Sequence, residues 1–307
     1  MKVIAKTLRA FLLVALSLTA TPGLAEDILY GQGILWRIDY GAVAPSYLLG
    51  TMHTADERVL EMPNGAREAF EAADTLALEL LLAEPHARYR ATMAQLAGFF
   101  LTDGRTLDTL IGEQRFELLS AVLAERGIPP ILSRLMNPWA AYIIIQWPPP
   151  QHDADGIEIE PLDSRLEIDA RAAGKRLFAL EATKEQAELM ASNDEAFETW
   201  LLTEVIDAGE ANGGLATYLA ASHAQSLDRY DAEDIAAILE DFEAPLPPAQ
   251  KAANKKFLKR FLWRRNARMV QRMISLIVRG NSFIAVGAAH LPGEKGIVNM
   301  LVKRGYK

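Results

Sequence analysis

The sequence contains no cysteine, and this absence excludes several kinds of chemistry. A disulfide framework, a thiolate metal site, a cysteine nucleophile and a lipid anchor on cysteine are all ruled out. The sequence also lacks a Gly-x-Ser-x-Gly elbow, a phosphate-binding glycine loop, a dinucleotide fingerprint and a His-Glu-x-x-His helix. These gaps leave either a hydrolase of another type or a binding protein.

The chain has fewer basic than acidic residues. The chain has 32 Lys and Arg residues against 40 Asp and Glu residues, which gives a formal net charge of −8. Because an acidic surface repels a phosphate backbone, we expect no nucleic-acid partner. Hydrophobic residues make up 50% of the 307 positions, enough for a substantial core and too many for a disordered chain.

The N-terminus has the layout of a secretory signal peptide. Lys and Arg residues precede an apolar run over residues 10–18, and small residues follow at 23–25. The run is shorter than the roughly 20 residues that cross a bilayer, which disfavours the alternative of a retained anchor. We therefore expect cleavage of residues 1–25, one mature domain over residues 26–307, a periplasmic or secreted location, and no membrane insertion after cleavage.

Strands are predicted near both ends of the mature chain. The β-rich runs at 34–38 and 46–49 are typical of a hairpin. The almost wholly apolar run at 75–82 predicts a buried strand, and further strands are predicted at 175–181 and 282–286. Strands that alternate with helical segments indicate an α/β (α+β) fold with a β-sheet flanked by helices.

Most of the remaining chain is predicted to be helical, including a middle segment of about residues 84–250. The predicted helices cover 64–73, 86–100, 105–126, 139–147, 162–173, 184–190, 195–208, 214–225, 250–278 and a short stretch that ends near 304. The apolar helix at 139–147 is too short to span a membrane and is expected to be buried. The basic face of the helix at 250–278 is expected to be solvated rather than bound to lipid.

Two short motifs repeat at the ends of predicted strands. Gly50-Thr51-Met52-His53 and Gly287-Ala288-Ala289-His290 each follow an apolar run. Ligands of open α/β sheets bind beyond the carboxyl ends of the strands, so both histidines are expected in that crevice. A single Gly-x-x-His is common, and its histidine could simply cap a helix; two copies in the same setting favour function. His86, His152 and His223 have no comparable setting and are interpreted as surface histidines.

Two carboxylates are also placed by the predicted strands. Glu79 is the lone charge in the strand at 75–82, and a buried carboxylate is costly unless it is paired or bound to a metal. The alternative for Glu79 is a salt bridge to an arginine, or a position at the exposed end of the strand. Glu181 closes the strand at 175–181, where it could instead cap the following helix.

These motifs resemble those of the TraB/GumN family, which includes the Tiki-type proteins. Ala77-Leu78-Glu79-Leu80 is similar to the acidic strand of the family, and Gly174-Lys175 with Leu180-Glu181 and Gln186 is similar to its central segment. Arg265-Asn266 resembles a late helical pair of the family. The resemblance spans nearly the whole mature chain. It implies an internally duplicated mixed-sheet fold and, by analogy with Tiki proteins, a metal-dependent peptidase.

The resemblance also implies a site. His53, Glu79 and His290 would bind manganese or cobalt, with zinc as a further possibility, and two nitrogens with one oxygen would leave positions open for water and substrate. Glu181 is the candidate proton acceptor, although the sequence leaves open which carboxylate is the ligand and which is the base.

Arg265 and Asn266 are candidates to hold a substrate carboxylate or to stabilise an oxyanion. The alternative is that Arg265 pairs with Glu79 itself, which would weaken the metal hypothesis.

The function expected from the sequence is a periplasmic metal-dependent hydrolase, a Tiki-like peptidase acting on a peptide or protein. The alternative is a non-catalytic periplasmic binding or accessory protein that holds a peptide, a glycan or a metal without turnover, with a link to polysaccharide production suggested by names within the family.

Overall fold

The computed structural model describes residues 28–82, 98–190, 194–243 and 246–307. The expected signal peptide lies outside the described residues. So do His86 and most of the helix predicted at 86–100.

The strands form one mixed sheet. They are β1 (Leu35–Ile38), β2 (Ser46–Thr51), β3 (Thr75–Leu78), β4 (Arg176–Ala179) and β5 (Ser282–Gly287). The order across the sheet is β1-β2-β5-β3-β4. β1 pairs with β2 in an antiparallel hairpin, whereas β2, β5, β3 and β4 run parallel to one another. The predicted mixed sheet flanked by helices is confirmed.

The two Gly-x-x-His motifs lie side by side because their strands are neighbours. In the parallel register of β2 and β5, Gly50 is opposite Val286 and Thr51 is opposite Gly287. The two motifs approach each other closely at Gly50. A Cβ added to Gly50 would stand 2.8 Å from Leu291 Cδ1 and 3.1 Å from Ala288 Cα. A glycine is therefore required for the chains to approach this closely.

Helices cover both faces of the sheet and form a separate layer in the middle of the chain. They are α1 (Glu57–Leu60), α2 (Ala66–Ala72), α3 (Leu107–Ile111), α4 (Glu113–Glu125), α5 (Pro130–Ser133), α6 (Pro138–Gln146), α7 (Leu162–Ala172), α8 (Thr183–Met190), α9 (Glu195–Ala211), α10 (Leu215–Asp231), α11 (Ile235–Glu243), α12 (Pro248–Leu258), α13 (Arg265–Arg279) and α14 (Ile297–Val302). A π-helical turn, Lys259–Arg264, joins α12 to α13, and a 3-10 turn, Ala288–His290, follows β5.

Several predicted boundaries need correction. The strand predicted at 75–82 ends at Leu78, because the chain then leaves the sheet and the Leu82 N–H binds the Glu167 carboxylate at 2.6 Å. Glu79 therefore follows the strand rather than lying within it. The helix predicted at 105–126 is two helices, α3 and α4, separated by Gly112, whose φ of 88° no right-handed helix accommodates.

The hydrophobic core has distinct parts. The largest part is built by the sheet together with α2, α7, α13 and α14, and a second part lies among the middle helices α3, α4, α6, α9 and α10. Trp139 on α6 is buried in the second part, as its apolar sequence predicted. Within the described residues, no helix has both the length and the apolar character needed to cross a membrane.

Candidate functional site

The predicted site residues lie at the carboxyl edge of the parallel strands. Glu79 comes directly after β3, His53 follows the end of β2, and His290 closes the 3-10 turn after β5. Because parallel strands end at the same edge of a sheet, residues far apart in sequence are gathered there. Backbone hydrogen bonds from Leu180 N to Leu78 O and from Glu181 N to Glu79 O, both 2.8 Å long, place Glu181 at this edge as well.

Glu79 is held as a carboxylate by two donors. Its Oε1 accepts the Gly287 N–H at 2.7 Å, and its Oε2 accepts the Arg265 guanidinium. A Cβ on Gly287 would stand 3.4 Å from the same Oε1, an ordinary van der Waals contact. Burial alone would raise the pKa of Glu79, but the charge of Arg265 and the Gly287 N–H outweigh it and lower the pKa to about 2.

Arg265 is enclosed between Glu79 and Glu181. Its Nε and one terminal nitrogen donate to Glu181 Oε2 at 2.9 and 2.7 Å, and the same terminal nitrogen reaches Glu79. The arginine side chain is only 3% exposed and the Glu181 side chain is fully buried. Gln186 adds a hydrogen bond of 3.3 Å to Glu181 Oε2. The pairing of Arg265 with Glu79, weighed from the sequence as an alternative, is what the structure contains.

His290 is buried and is oriented by Asn266. The Asn266 amide nitrogen donates to Lys295 O at 2.8 Å, which directs its Oδ1 toward His290 Nδ1 at 2.5 Å. An amide oxygen only accepts, so Nδ1 carries the proton and Nε2 keeps its lone pair. Nε2 stands 3.7 Å from Glu79 Oε1. Burial, followed by the charge of Arg265, lowers the pKa of His290 to about 4, so the ring is neutral at pH 7.

His53 has a different environment from His290. Its side chain is 54% exposed, and its Nδ1 lies 3.8 Å from Asp163 Oδ2. Thr51 Oγ1 holds the other oxygen of Asp163 at 2.9 Å. Burial works against protonation of His53, but the neighbouring carboxylate of Asp163 outweighs it, and the pKa of His53 is raised. The ring also stands 5.6 Å from the Trp147 ring, centroid to centroid.

The sequence did not indicate Asp163 or Trp147 as site residues. Asp163 lies in the first turn of α7, where an acidic residue usually complements the helix dipole and attracts no attention. Its partner His53 is more than a hundred positions away in the chain. No local signal in the sequence connects these residues, so only the fold reveals the contact.

The structure thus brings Glu79, Glu181, Arg265, Asn266 and His290 into one hydrogen-bonded network, with His53 beside it on Asp163. In the part of the chain that the structure describes, no group of three or more His, Asp or Glu side chains is close enough to hold a metal ion.

The donor chemistry of a metal pair is nevertheless present in Glu79 and His290. A neutral imidazole whose second nitrogen is fixed by a hydrogen bond is the usual form of a metal-binding histidine. Glu79 is ionised beside it.

Fold and site together define an α/β protein with imidazole and carboxylate groups gathered at the carboxyl edge of its sheet. The sequence profile of the TraB/PrgY/gumN family matches residues 34–307. The chain therefore belongs to the TraB/PrgY/gumN family.

Curated relatives carry metalloprotease names. The Metalloprotease TIKI homolog of Amphimedon queenslandica is 24% identical over 319 residues, which cover 89% of this chain and 60% of the relative. Metalloprotease TIKI2 of Danio rerio is 24% identical over 314 residues, which cover 86% of this chain and 58% of the relative. The chain thus spans about three fifths of the length of these relatives. No solved structure matches it.

Proposed function

We propose that this protein is an exported, periplasmic metal-dependent hydrolase, a Tiki-like peptidase whose site is formed by His53, Glu79 and His290. The observation that carries the proposal is the pair formed by His290 and Glu79. The Nε2 lone pair faces the Glu79 carboxylate at 3.7 Å, while Asn266 holds the opposite side of the ring. Two ligands of one ion lie no further apart than twice a bond of roughly 2.1 Å, and this separation meets that condition.

The third ligand in the proposal is His53. Its side chain is more than half exposed, and the proposal requires that its ring turns toward Glu79 when the ion binds. Asp163 lies beside Nδ1 of His53 and leaves Nε2 available for the ion. Asn266 leaves Nε2 of His290 available in the same way.

A bound divalent ion, manganese or cobalt by the family resemblance or zinc, would polarise the carbonyl of the scissile peptide bond. The residues of the chain prepare the site for it. Arg265 keeps Glu79 ionised, burial and Arg265 keep His290 neutral, and Asn266 holds the His290 ring in one orientation. Glu181 contacts Arg265 with its carboxylate, which favours a positioning role, while its role as proton acceptor stays a prediction. Substrate contacts of Arg265 and Asn266 also stay predictions.

The names of the relatives support the hydrolase, since each is called a metalloprotease. One observation favours the alternative, a non-catalytic binding or accessory protein linked to polysaccharide production. Arg265 already forms an ion pair with Glu79, and a cation paired to a carboxylate competes with a metal ion for that carboxylate. In that case the crevice would hold a peptide, a glycan or a metal without turnover.

Metal-dependent cleavage separates the two functions. Chelator-treated protein is incubated with a mixed peptide library in buffer alone or with added manganese, cobalt or zinc, and new peptide ends are identified by mass spectrometry. We expect cleavage only with added metal and its loss in His290→Ala. His152→Ala, at an exposed loop histidine, serves as the matched control and should cleave normally. Cleavage without metal, or equal cleavage by His290→Ala, would contradict the proposal.

A further inference from the structure

A cavity of about 270 Å³ is lined in part by His53. One wall is the C-terminal end of α6 with the proline run that follows it, and the opposite wall comes from the loop before α7. Its lining includes the apolar side chains of Ile128, Ile144, Trp147 and Ile159, the prolines at 148–150, and the imidazole of His53. A cavity of roughly 150 Å³ already accepts benzene, so this one has room for one large side chain.

The walls of this cavity are fixed before any ligand arrives. Arg126 donates three hydrogen bonds to backbone carbonyls, at 2.8 Å to Trp147, 3.0 Å to Val122 and 3.2 Å to Ile145. These bonds tie the end of α6 to α4. The consecutive prolines that follow have restricted φ angles and stiffen the next stretch of the wall. A preformed cavity binds its occupant without a further cost in ordering the chain.

Trp147 is the unusual member of this wall. It is 44% exposed, although an indole normally buries most of its surface in a folded protein. Its ring lies 5.6 Å from the His53 ring, centroid to centroid, with the two planes tilted by 50°. A large exposed apolar surface beside a candidate catalytic residue is typical of a ligand-binding position.

The charges around the cavity do not favour an ionic occupant. The lining contains two charged residues, Arg126, which is directed at backbone carbonyls, and Glu158. A charged side chain would lose water among the isoleucine, tryptophan and proline side chains that form most of the lining. An apolar side chain would lose nothing and would bury the exposed face of Trp147.

We infer that this cavity is the specificity subsite of the enzyme and takes an uncharged, apolar side chain of a peptide, aromatic or branched aliphatic, next to the reacting bond at His53. The inference rests on the proposed function, because it assumes that the peptide bond is held at the same site. It adds a substrate class that neither the family nor the names of the relatives specify.

Binding tests the inference without requiring turnover. Acetyl-Gly-X-Gly-amide peptides with Phe, Leu, Glu or Lys at X are titrated into the full protein and followed by ligand-observed NMR, with and without manganese. We expect the Phe and Leu peptides to bind at least about tenfold more tightly than the Glu and Lys peptides, since burial of one large apolar side chain gives a difference of that order. Equal affinity for all four peptides, or no binding of any, would overturn the inference.

Variants assign the binding to this cavity. Trp147→Ala should weaken binding of the Phe peptide about tenfold, Trp147→Phe should largely restore it, and Ile159→Glu should abolish the preference for apolar peptides. Tyr40→Ala is the matched control, because Tyr40 is also an aromatic residue that is 44% exposed but follows β1, at the opposite edge of the sheet. Thermal unfolding of each variant shows that it is folded. Unchanged binding by both Trp147→Ala and Ile159→Glu would overturn the inference.

Different results would contradict the proposed hydrolase and the proposed subsite. A protein that binds apolar peptides at Trp147 but retains no metal contradicts the hydrolase and keeps the subsite. A protein that retains metal and cleaves peptides without preference at the adjacent residue contradicts the subsite alone.

Discussion

At the scale of single residues, two histidines from the same short motif have opposite environments. His290 is buried, neutral and held by the amide of Asn266, whereas His53 is half exposed and faces the carboxylate of Asp163. The motif therefore determines where each histidine lies but not its protonation. Burial and the charges near each ring determine its protonation.

Arg265 is the residue on which the network depends most. Arg265→Ala leaves Glu79 and Glu181 facing each other without a counter-charge, and we expect it to lower the free energy of unfolding by about 3–5 kcal/mol. Urea denaturation measures the change. Arg268→Ala, three positions later on α13, removes only a partly exposed ion pair with Glu185 and should cost about 0–1 kcal/mol. A cost for Arg265→Ala as small as that of the control would show that the buried pairs contribute little.

Glu198 is a buried carboxyl group on α9 that gives the protein a specific pH dependence. Its Oε1 has no hydrogen-bond partner among the described residues, and burial raises its pKa from 4.5 to about 8. The charge of Arg260 opposes this rise, while Asp194 and Glu195 add to it. Between pH 4.5 and 8 the unfolded chain is ionised at this position and the folded chain is protonated, so stability falls as the pH rises.

Glu198→Gln should remove this loss. We expect the variant to match the wild type near pH 4.5 and to be more stable by about 1–3 kcal/mol at pH 8, since no unpaired buried carboxylate forms. Urea denaturation at both pH values measures the difference. A variant whose stability relative to the wild type is the same at both pH values would show that Glu198 does not titrate in this range.

At the scale of secondary-structure elements, the approach of β2 and β5 is what places the site. Gly50→Ala would put a methyl group 2.8 Å from Leu291 Cδ1 and 3.1 Å from the backbone at Ala288. We expect a loss of about 1–3 kcal/mol in unfolding free energy, because the two motifs must move apart. Gly98→Ala is the control: among the described residues, the atom nearest to its new Cβ belongs to Trp139 and lies at an ordinary 3.9 Å. Equal stability of the two variants in thermal melts would contradict this account of Gly50.

The elements were predictable to the extent that hydrophobic runs define them. The hairpin and the strand at 282–286 were correctly assigned, and β5 is a parallel strand buried on both faces, which forms a short apolar run. The strand predicted at 175–181 exists but is shorter, Arg176–Ala179, so Glu181 lies two residues beyond its end. The short helices α1, α5 and α11 were missed, since four to nine residues carry little periodicity. The π-helical turn inside the helix predicted at 250–278 was also missed, because nothing in the local sequence distinguishes it from an α-helix.

The sequence predicted which residues form the candidate site but not which of them contact one another. Glu79, Glu181, Arg265, Asn266 and His290 were all named from the sequence, and the structure brings them together. The sequence did not show that Asn266 orients His290, nor that Arg265 lies between two carboxylates. Such contacts depend on which strands become neighbours, and that order is a property of the whole fold.

At the scale of the whole molecule, an acidic chain with a signal-like N-terminus is expected to work outside the cytoplasm. Expressed in full in a bacterium with two membranes, it should appear in the periplasmic fraction with residue 26 as its first residue. Intact-mass measurement and N-terminal sequencing check this, and substitution of acidic residues for Lys2, Lys6 and Arg9 should block export. A full-length chain that stays in the cytoplasm would contradict the expected signal peptide.

The central claim is that Glu79, His290 and His53 hold one divalent ion. The most direct measurement is metal content by mass spectrometry of residues 26–307 after loading with manganese, cobalt or zinc and desalting, beside His53→Ala and His290→Ala. We expect a metal content close to one ion per wild-type chain and loss of that ion in both variants, each of which stays folded. Full metal occupancy in either variant, or no retained metal in the wild type even by equilibrium dialysis, would contradict it.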